Sequence, residues 1–190
     1  MQPCIFLDRD GTLNFDYGWI TSPAKIELLP GAAEAVRAIN EAGYLAVVVT
    51  NQPVIARGEC TFAELAAINQ KLEWLLMAEA GAHLDAIYSC PHHPKSGIAG
   101  ERAEYKIRCH CRKPAPGLLE DAARDLAIDV SRSWMIGDSE RDLGAAAAFG
   151  VPAVLVSSNQ QGFKDDISSK CAFRADDVKT AVQRILNSIS

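Results

Sequence analysis

Residues 4–12 read Cys4-Ile5-Phe6-Leu7-Asp8-Arg9-Asp10-Gly11-Thr12. Four apolar residues run directly into a charged turn that carries a glycine. A short continuous apolar run bounded in this way reads as a strand buried on both faces. Asp8 and Asp10 then fall at its carboxyl end. Working outward, Tyr44–Val49 is a β-branched run and a second strand, Ala86–Ser89 a third, Trp134–Ile136 a fourth and Ala153–Val156 a fifth. Helical stretches separate them. Gly31–Ala42 follows Pro30 and closes at Gly43, and Thr61–Ala80 opens with Thr61 as N-cap and Glu64 three residues on. Pro116–Leu126, Leu143–Phe149 and Asp176–Leu186 are the remaining helices.

Strand–helix alternation predicts an α/β fold, a mainly parallel sheet with helices on both faces. Ligands of such sheets bind beyond the carboxyl ends of the strands. Asp8, Thr50-Asn51, Cys90 and Gly137-Asp138 each follow a strand, so all are expected at one edge. Two stretches break the alternation: Asn14–Leu29, polar and aromatic, and Pro91–Pro114, rich in Pro, Gly, His, Cys and basic residues. Long irregular loops in compact domains are commonly functional. With no larger insertion, the domain is expected to be capless. Ser157–Lys170 reads as a mobile surface loop.

A chain of 190 residues, 48% of them apolar, fits one domain spanning 1–190 with a substantial core. The formal net charge of −5 argues against a nucleic-acid partner held by a basic face. No signal peptide is expected before Cys4, and no apolar run approaches the roughly 20 residues of a membrane span. A cytoplasmic monomer with no membrane partner is expected. The six cysteines are then unsuited to a disulfide framework.

The Asp8–Thr12 segment carries the chemistry. A carboxylate at a buried strand end can attack phosphorus and form an acyl phosphate, and Asp8 is placed to do so. Asp10 can protonate the leaving oxygen and then deprotonate water. Gly11 lets backbone N–H groups turn toward phosphate. Carboxylate and phosphate repel, so a hard cation must bridge them. Magnesium suits oxygen ligands, with Asp8, Asp138 and the Asp10 carbonyl as candidates. Taken alone, an Asp-x-Asp-Gly-Thr run is also an ordinary polar turn. Thr50 can hydrogen-bond a phosphoryl oxygen, and Lys113 can hold the phosphoryl group and offset Asp8. Glu140 and Asp142 read best as acids of a helix N-terminus or as supporting residues.

In this order the motifs Asp8–Thr12, Thr50, Lys113 and Gly137–Asp142 resemble those of the haloacid dehalogenase-type phosphatase superfamily. The resemblance spans about residues 4–156. It implies a Rossmann-like three-layer sandwich with strand order 3-2-1-4-5.

Cys90-Pro91-His92 and Cys109-His110-Cys111 form a C-x-H…C-x-C pattern. Cys90, His92, Cys109 and Cys111 can close a tetrahedral structural zinc site. Such a site would pin the Pro91–Pro114 loop and place Arg112 and Lys113. His93 and His110 are alternative ligands, and reduced cysteines without metal are the alternative for the whole set. The runs Cys90–Pro94, Cys109–Pro114, Ile5–Asn14 and Val48–Gln52 further resemble the D-glycero-D-manno-heptose 1,7-bisphosphate 7-phosphatase family. Histidinol-phosphate phosphatases share the zinc pattern with a shorter intervening loop. The resemblance implies removal of the C7 phosphate to leave heptose 1-phosphate, a step toward nucleotide-activated heptose for surface polysaccharide. It carries substrate contacts to Asp16, Tyr17, Gly18, Trp19, Thr50, Asn51, Gln52, Pro53, Arg112 and Lys113. Arg112 would take the retained phosphate, Arg57 and Arg108 are candidate helpers, and Trp19 could cover the sugar. Two departures stand out. Pro53-Val54 replaces the usual Ser-Gly, and Ser139 replaces the usual lysine after Asp138. The competing readings are histidinol phosphate or another small phosphomonoester as substrate, and a binding protein without catalysis.

Overall fold

The structure, a computed structural model, describes residues 1–189 apart from 96, 98 and 158–170. In chain order the elements are β1 (Cys4–Leu7), α1 (Ala32–Glu41), β2 (Leu45–Asn51), α2 (Phe62–Ala80), β3 (Ala86–Cys90), α3 (Gly117–Asp125), β4 (Trp134–Gly137), α4 (Glu140–Phe149), β5 (Ala153–Val156), β6 (Phe173–Ala175) and α5 (Val178–Ile189). The strands form one sheet of order β3-β2-β1-β4-β5-β6. Every pairing is parallel. The expected order is therefore present, extended by a sixth strand. Apart from Ser157, the loop expected over Ser157–Lys170 lies outside the described residues.

The side-chain period of two sorts each strand between two cores. Ile5 and Leu7, Ala46 and Val48, Ile136, and Val154 and Val156 face the layer of α1, α2 and α5. Cys4 and Phe6, Val47 and Val49, Met135, and Ala153 and Leu155 face the layer of α3 and α4. The whole of β1 is buried. Its hydrogen-bonded flanks are β2 and β4, which puts Asp8 at the centre of the sheet's carboxyl edge.

Helix ends follow their local chemistry. The Thr61 hydroxyl accepts from the Glu64 amide at 3.1 Å, and the Glu64 carboxylate accepts from the Thr61 amide at 2.7 Å. This reciprocal cap starts α2, and Gly81 in the left-handed region ends it. Helix α4 begins at Glu140, before the expected Leu143, because Asp142 accepts from Ser139 N at 3.0 Å and from Ser139 Oγ at 2.6 Å.

Both irregular stretches are tied down. The 14–29 flap is closed at its base by Phe15 N to Glu27 O (3.0 Å) and Leu29 N to Leu13 O (2.9 Å), with Ile20, Ile26 and Leu28 buried beneath. The 91–114 loop bonds to the turn after β2 through Ala56 N to Pro91 O (3.2 Å) and Arg102 N to Ala56 O (3.0 Å). Gly58 permits that approach: a Cβ there would lie 2.0 Å from Gly100 O. Among the described residues no helix is long and apolar enough to cross a membrane.

Candidate active site

Asp8 leaves β1 with its amide bonded to Ile136 O at 2.9 Å, so the β1–β4 ladder fixes where its side chain starts. Lys113 meets it from the opposite side. The Lys113 ammonium donates to Asp8 Oδ1 at 2.8 Å, to Val49 O at 2.7 Å and to Asp142 Oδ1 at 2.6 Å. Those are the three donors an ammonium has, and the group is 2% exposed. Asn51 locks the Lys113 backbone in a two-way amide pair, both bonds at 3.0 Å.

Asp142, fully buried, is more than a helix-end acid. One oxygen takes Lys113 and the other takes Ser139. Gly137 makes room for it, since a Cβ at 137 would sit 2.4 Å from the Asp142 Cβ and Cγ. Sequence alone left Asp142 as a supporting acid, and the fold shows what it supports: the charge and aim of Lys113.

These placements set the charge states. Burial pushes the Asp8 carboxyl up to about 6; Lys113 opposes the rise, and Asp142 and Asp10 add to it. Burial alone would lower Lys113, but Asp142 and Asp8 outweigh it and hold the ammonium charged. Burial would likewise raise Asp10. The Arg9 guanidinium, with hydrogen bonds from Asn14 and Gln52, instead brings it below the usual carboxylate range. Arg9 is fully buried and forks onto both Asp10 oxygens at 2.9 Å, while Asn69 of α2 anchors its far nitrogen at 3.1 Å. Gln52 Nε2 bridges Asp10 Oδ2 (2.8 Å) and the Thr50 hydroxyl (2.9 Å).

Carboxylate oxygens of Asp8, Asp138 and Asp142 lie within 4.8 Å of one another. Both Asp142 oxygens are already engaged, so a hard cation at this spot would rest on Asp8 and Asp138. The Asp10 carboxylate is engaged by Arg9, Asn14 and Gln52, which leaves its backbone carbonyl as the ligand it could offer. Oxygen donors of this kind suit magnesium.

Asp8, Asp10, Asp138 and Lys113 open into one cavity with Thr50, Asn51, Gln52 and Pro53. Asp16, Gly18 and Trp19 from the flap and Arg112 from the cysteine loop complete the expected lining. Tyr17 is not brought there: its ring stacks on Phe15 at 5.7 Å and its hydroxyl donates to Glu27 at 2.8 Å. Arg57 lies 4.6 Å over the Trp19 ring and pairs with Glu59 at 2.7 Å, so it braces the flap. Arg108 is exposed and outside the lining. Ser139, at the position of an expected lysine, lines the cavity while capping with Asp142. Two polar lining residues were not expected in the cavity: Arg141, and His93, which had been weighed only as an alternative metal ligand. Each adjoins a motif residue, His92 or the acid Asp142, and that adjacency was the available signal.

Beside the cavity, Cys90 Sγ, His92 Nδ1, Cys109 Sγ and Cys111 Sγ form a second cluster within 4.8 Å. Sulfur–sulfur separations are 3.2, 3.3 and 3.6 Å, and His92 Nδ1 lies 3.3 Å from Cys111 and 3.7 Å from Cys90. A disulfide would require about 2.05 Å. Tetrahedral zinc, with Zn–S about 2.3 Å and Zn–N about 2.0–2.1 Å, implies edges of roughly 3.6–3.8 Å. The donor set suits that ion, and the cluster, with three separations a few tenths of an ångström inside those edges, is compatible with it. Cys111 is pushed down to about 5, first by its hydrogen bond with Cys90, so a thiolate forms there most readily. His110 is engaged elsewhere, with Glu120 at 2.6 Å, and His93 Nδ1 accepts from Lys95 N at 3.2 Å.

The chain is similar to known proteins over this whole arrangement. Residues 110–182 match the HAD-hydrolase-like family model. The D-glycero-beta-D-manno-heptose-1,7-bisphosphate 7-phosphatase of Salmonella typhi is 44% identical over 149 residues, covering 78% of this chain and 77% of that protein. Among solved structures, the D,D-heptose 1,7-bisphosphate phosphatase of B. bronchiseptica, complexed with magnesium and phosphate, superposes with a TM-score of 0.80. It is 34% identical, with 98% of this chain and 99% of that one covered. A HAD-like phosphatase of Mesorhizobium loti reaches a TM-score of 0.81 at 34% identity, over 99% of this chain and 86% of that one.

Proposed function

The chain belongs to the D-glycero-beta-D-manno-heptose-1,7-bisphosphate 7-phosphatase family, and from that we propose that it hydrolyses the C7 phosphate of this bisphosphate through a phosphoryl group carried on Asp8. The observation that carries the reading is the Asp8 carboxylate held at 2.8 Å by a buried lysine, with Asp138 beside it.

The steps follow from the side chains. An Asp8 oxygen bonds to phosphorus as the bond from phosphorus to the C7 oxygen breaks, and Asp10 gives that oxygen a proton. Asp10 is held low, so it donates readily but is seldom protonated at rest. Its proton arrives with the phosphate monoester, whose second pKa is about 6. In the second half Asp10 takes a proton from water. That water attacks phosphorus, frees phosphate and restores Asp8. Arg9, Asn14 and Gln52 aim Asp10, while Lys113 keeps Asp8 in one rotamer and meets phosphoryl charge as it develops. Magnesium held by Asp8, Asp138 and the Asp10 carbonyl would supply the positive charge that lets two anions approach. Zinc held by Cys90, His92, Cys109 and Cys111 would supply structure alone, since four ligands leave no open position.

Phosphate release with magnesium, measured on the heptose bisphosphate beside histidinol phosphate, tests this. Wild type turns over the bisphosphate with the higher kcat/KM, yielding heptose 1-phosphate, and Asp8→Asn turns over neither. Equal rates for wild type and Asp8→Asn would remove the nucleophile. A preference for histidinol phosphate would remove the substrate.

A further inference from the structure

Arg141, the second residue of α4, lines the same cavity as Asp8. Its side chain is exposed, and no hydrogen bond or ion pair of Arg141 is found among the described residues. Arg112, on the cysteine loop, lines the same cavity. One Arg112 nitrogen donates to His92 O at 2.9 Å, which fixes the guanidinium and leaves its other donors to the cavity. A protein of net charge −5 has here brought two guanidiniums to one cavity. Three of the cavity's acids are engaged by other cations: Asp8 and Asp142 by Lys113, and Asp10 by Arg9.

Two planar guanidiniums facing one space suit a tetrahedral dianion, each offering a fork of N–H donors to its oxygens. The reacting phosphate already has Asp8, Lys113 and the cation site. We propose that Arg141 and Arg112 together grip the phosphate that the reaction leaves in place, making Arg141 a specificity residue that selects a bisphosphate over a monophosphate. This rests on the bisphosphate reading above.

The test measures kcat and KM on the heptose bisphosphate and on heptose 7-phosphate, which lacks the anomeric phosphate, for wild type, Arg141→Ala and Arg141→Lys. A hydrogen bond to a charged group stabilises by about 1.5–3 kcal/mol, or roughly ten- to a hundredfold. The ratio of the two kcat/KM values therefore falls by that factor in Arg141→Ala. The loss lies in KM for the bisphosphate, and Arg141→Lys recovers part of it. A ratio unchanged from wild type overturns the proposal. So does an equal fall on both substrates, which would put Arg141 at the reacting phosphate instead. Thermal melts of the variants, expected to match wild type for an exposed side chain, exclude misfolding as the cause. If wild type does not hydrolyse the bisphosphate at all, the substrate reading fails. If wild type prefers it and Arg141→Ala keeps that preference, only the Arg141 assignment fails.

Discussion

At the scale of single residues, the site stores a cost in Asp8. Its carboxyl is raised to about 6 by burial against an ordinary value of 3.8. Between roughly pH 4 and pH 6 the folded protein keeps a proton that the unfolded chain has lost. The stability this contributes is complete below pH 4 and disappears as pH rises through 6. About two pKa units correspond to about 3 kcal/mol. Asp8→Asn carries no charge at any pH, and Lys113 retains Asp142 and the Val49 carbonyl. With divalent ions chelated, Asp8→Asn is therefore expected to melt above wild type at pH 7.5, and the two curves to converge near pH 4. A wild type that melts higher than Asp8→Asn at pH 7.5 would refute the buried-charge account. That Asp8, Asp10 and Lys113 belong together was legible from their residue types and order, and the fold brings them to one cavity. Asp142 was half legible. Its place in the first turn of α4 is a sequence property, but its contact with Lys113 spans 29 positions and exists only once α4 has packed beside β4.

At the scale of elements, the strongly patterned pieces emerge where the sequence puts them. The reciprocal cap of α2 needs only Thr61 and Glu64 three apart, and β1 needs only an apolar run too short for a helix. Strand β6 was not legible. It has three residues with Arg174 at their centre, and it becomes a strand because β5 offers it an edge. The cysteine loop is the reverse case, an irregular segment whose end points were legible from the spacing of its Cys and His residues. The Cys90, His92, Cys109 and Cys111 cluster brings the chain back from β3 to Arg112 and Lys113, so the loop's anchorage and the lysine that holds Asp8 are mechanically one unit. Metal analysis of purified wild type should then find about one zinc per chain. Cys111→Ala should lose the zinc, melt lower and lose kcat/KM, although its side chain is not in the cavity lining. A wild type free of zinc, or a Cys111→Ala variant with full activity and unchanged melting, would show that the cluster does not organise the loop.

At the scale of the whole molecule, the site exists only where separate parts of the chain meet. Asp8 comes from β1, Asp138 from the turn after β4, Lys113 from the cysteine loop and Trp19 from the flap. The parallel order and the sharing of one carboxyl edge were legible from strand–helix alternation. The flap's inward and outward residues were not, since an irregular segment has no period to sort Trp19 from Tyr17. Because Asp8 and Asp138 are adjacent only in the folded sheet, a cation that bridges them binds the folded state and not the unfolded chain. It also neutralises the charge that burial makes costly at Asp8. At a magnesium concentration about 100 times Kd, such linkage stabilises by about 2.7 kcal/mol. For a chain of this size each kcal/mol raises Tm by about 2–4 °C, so a rise of roughly 5–10 °C is expected. Asp138→Asn removes one of the two carboxylates and should show little of that rise. Sodium chloride at matched ionic strength should raise neither protein. If Asp138→Asn gains as much from magnesium as wild type does, the ion is binding elsewhere on the acidic surface, and the cation pocket between β1 and β4 is misassigned.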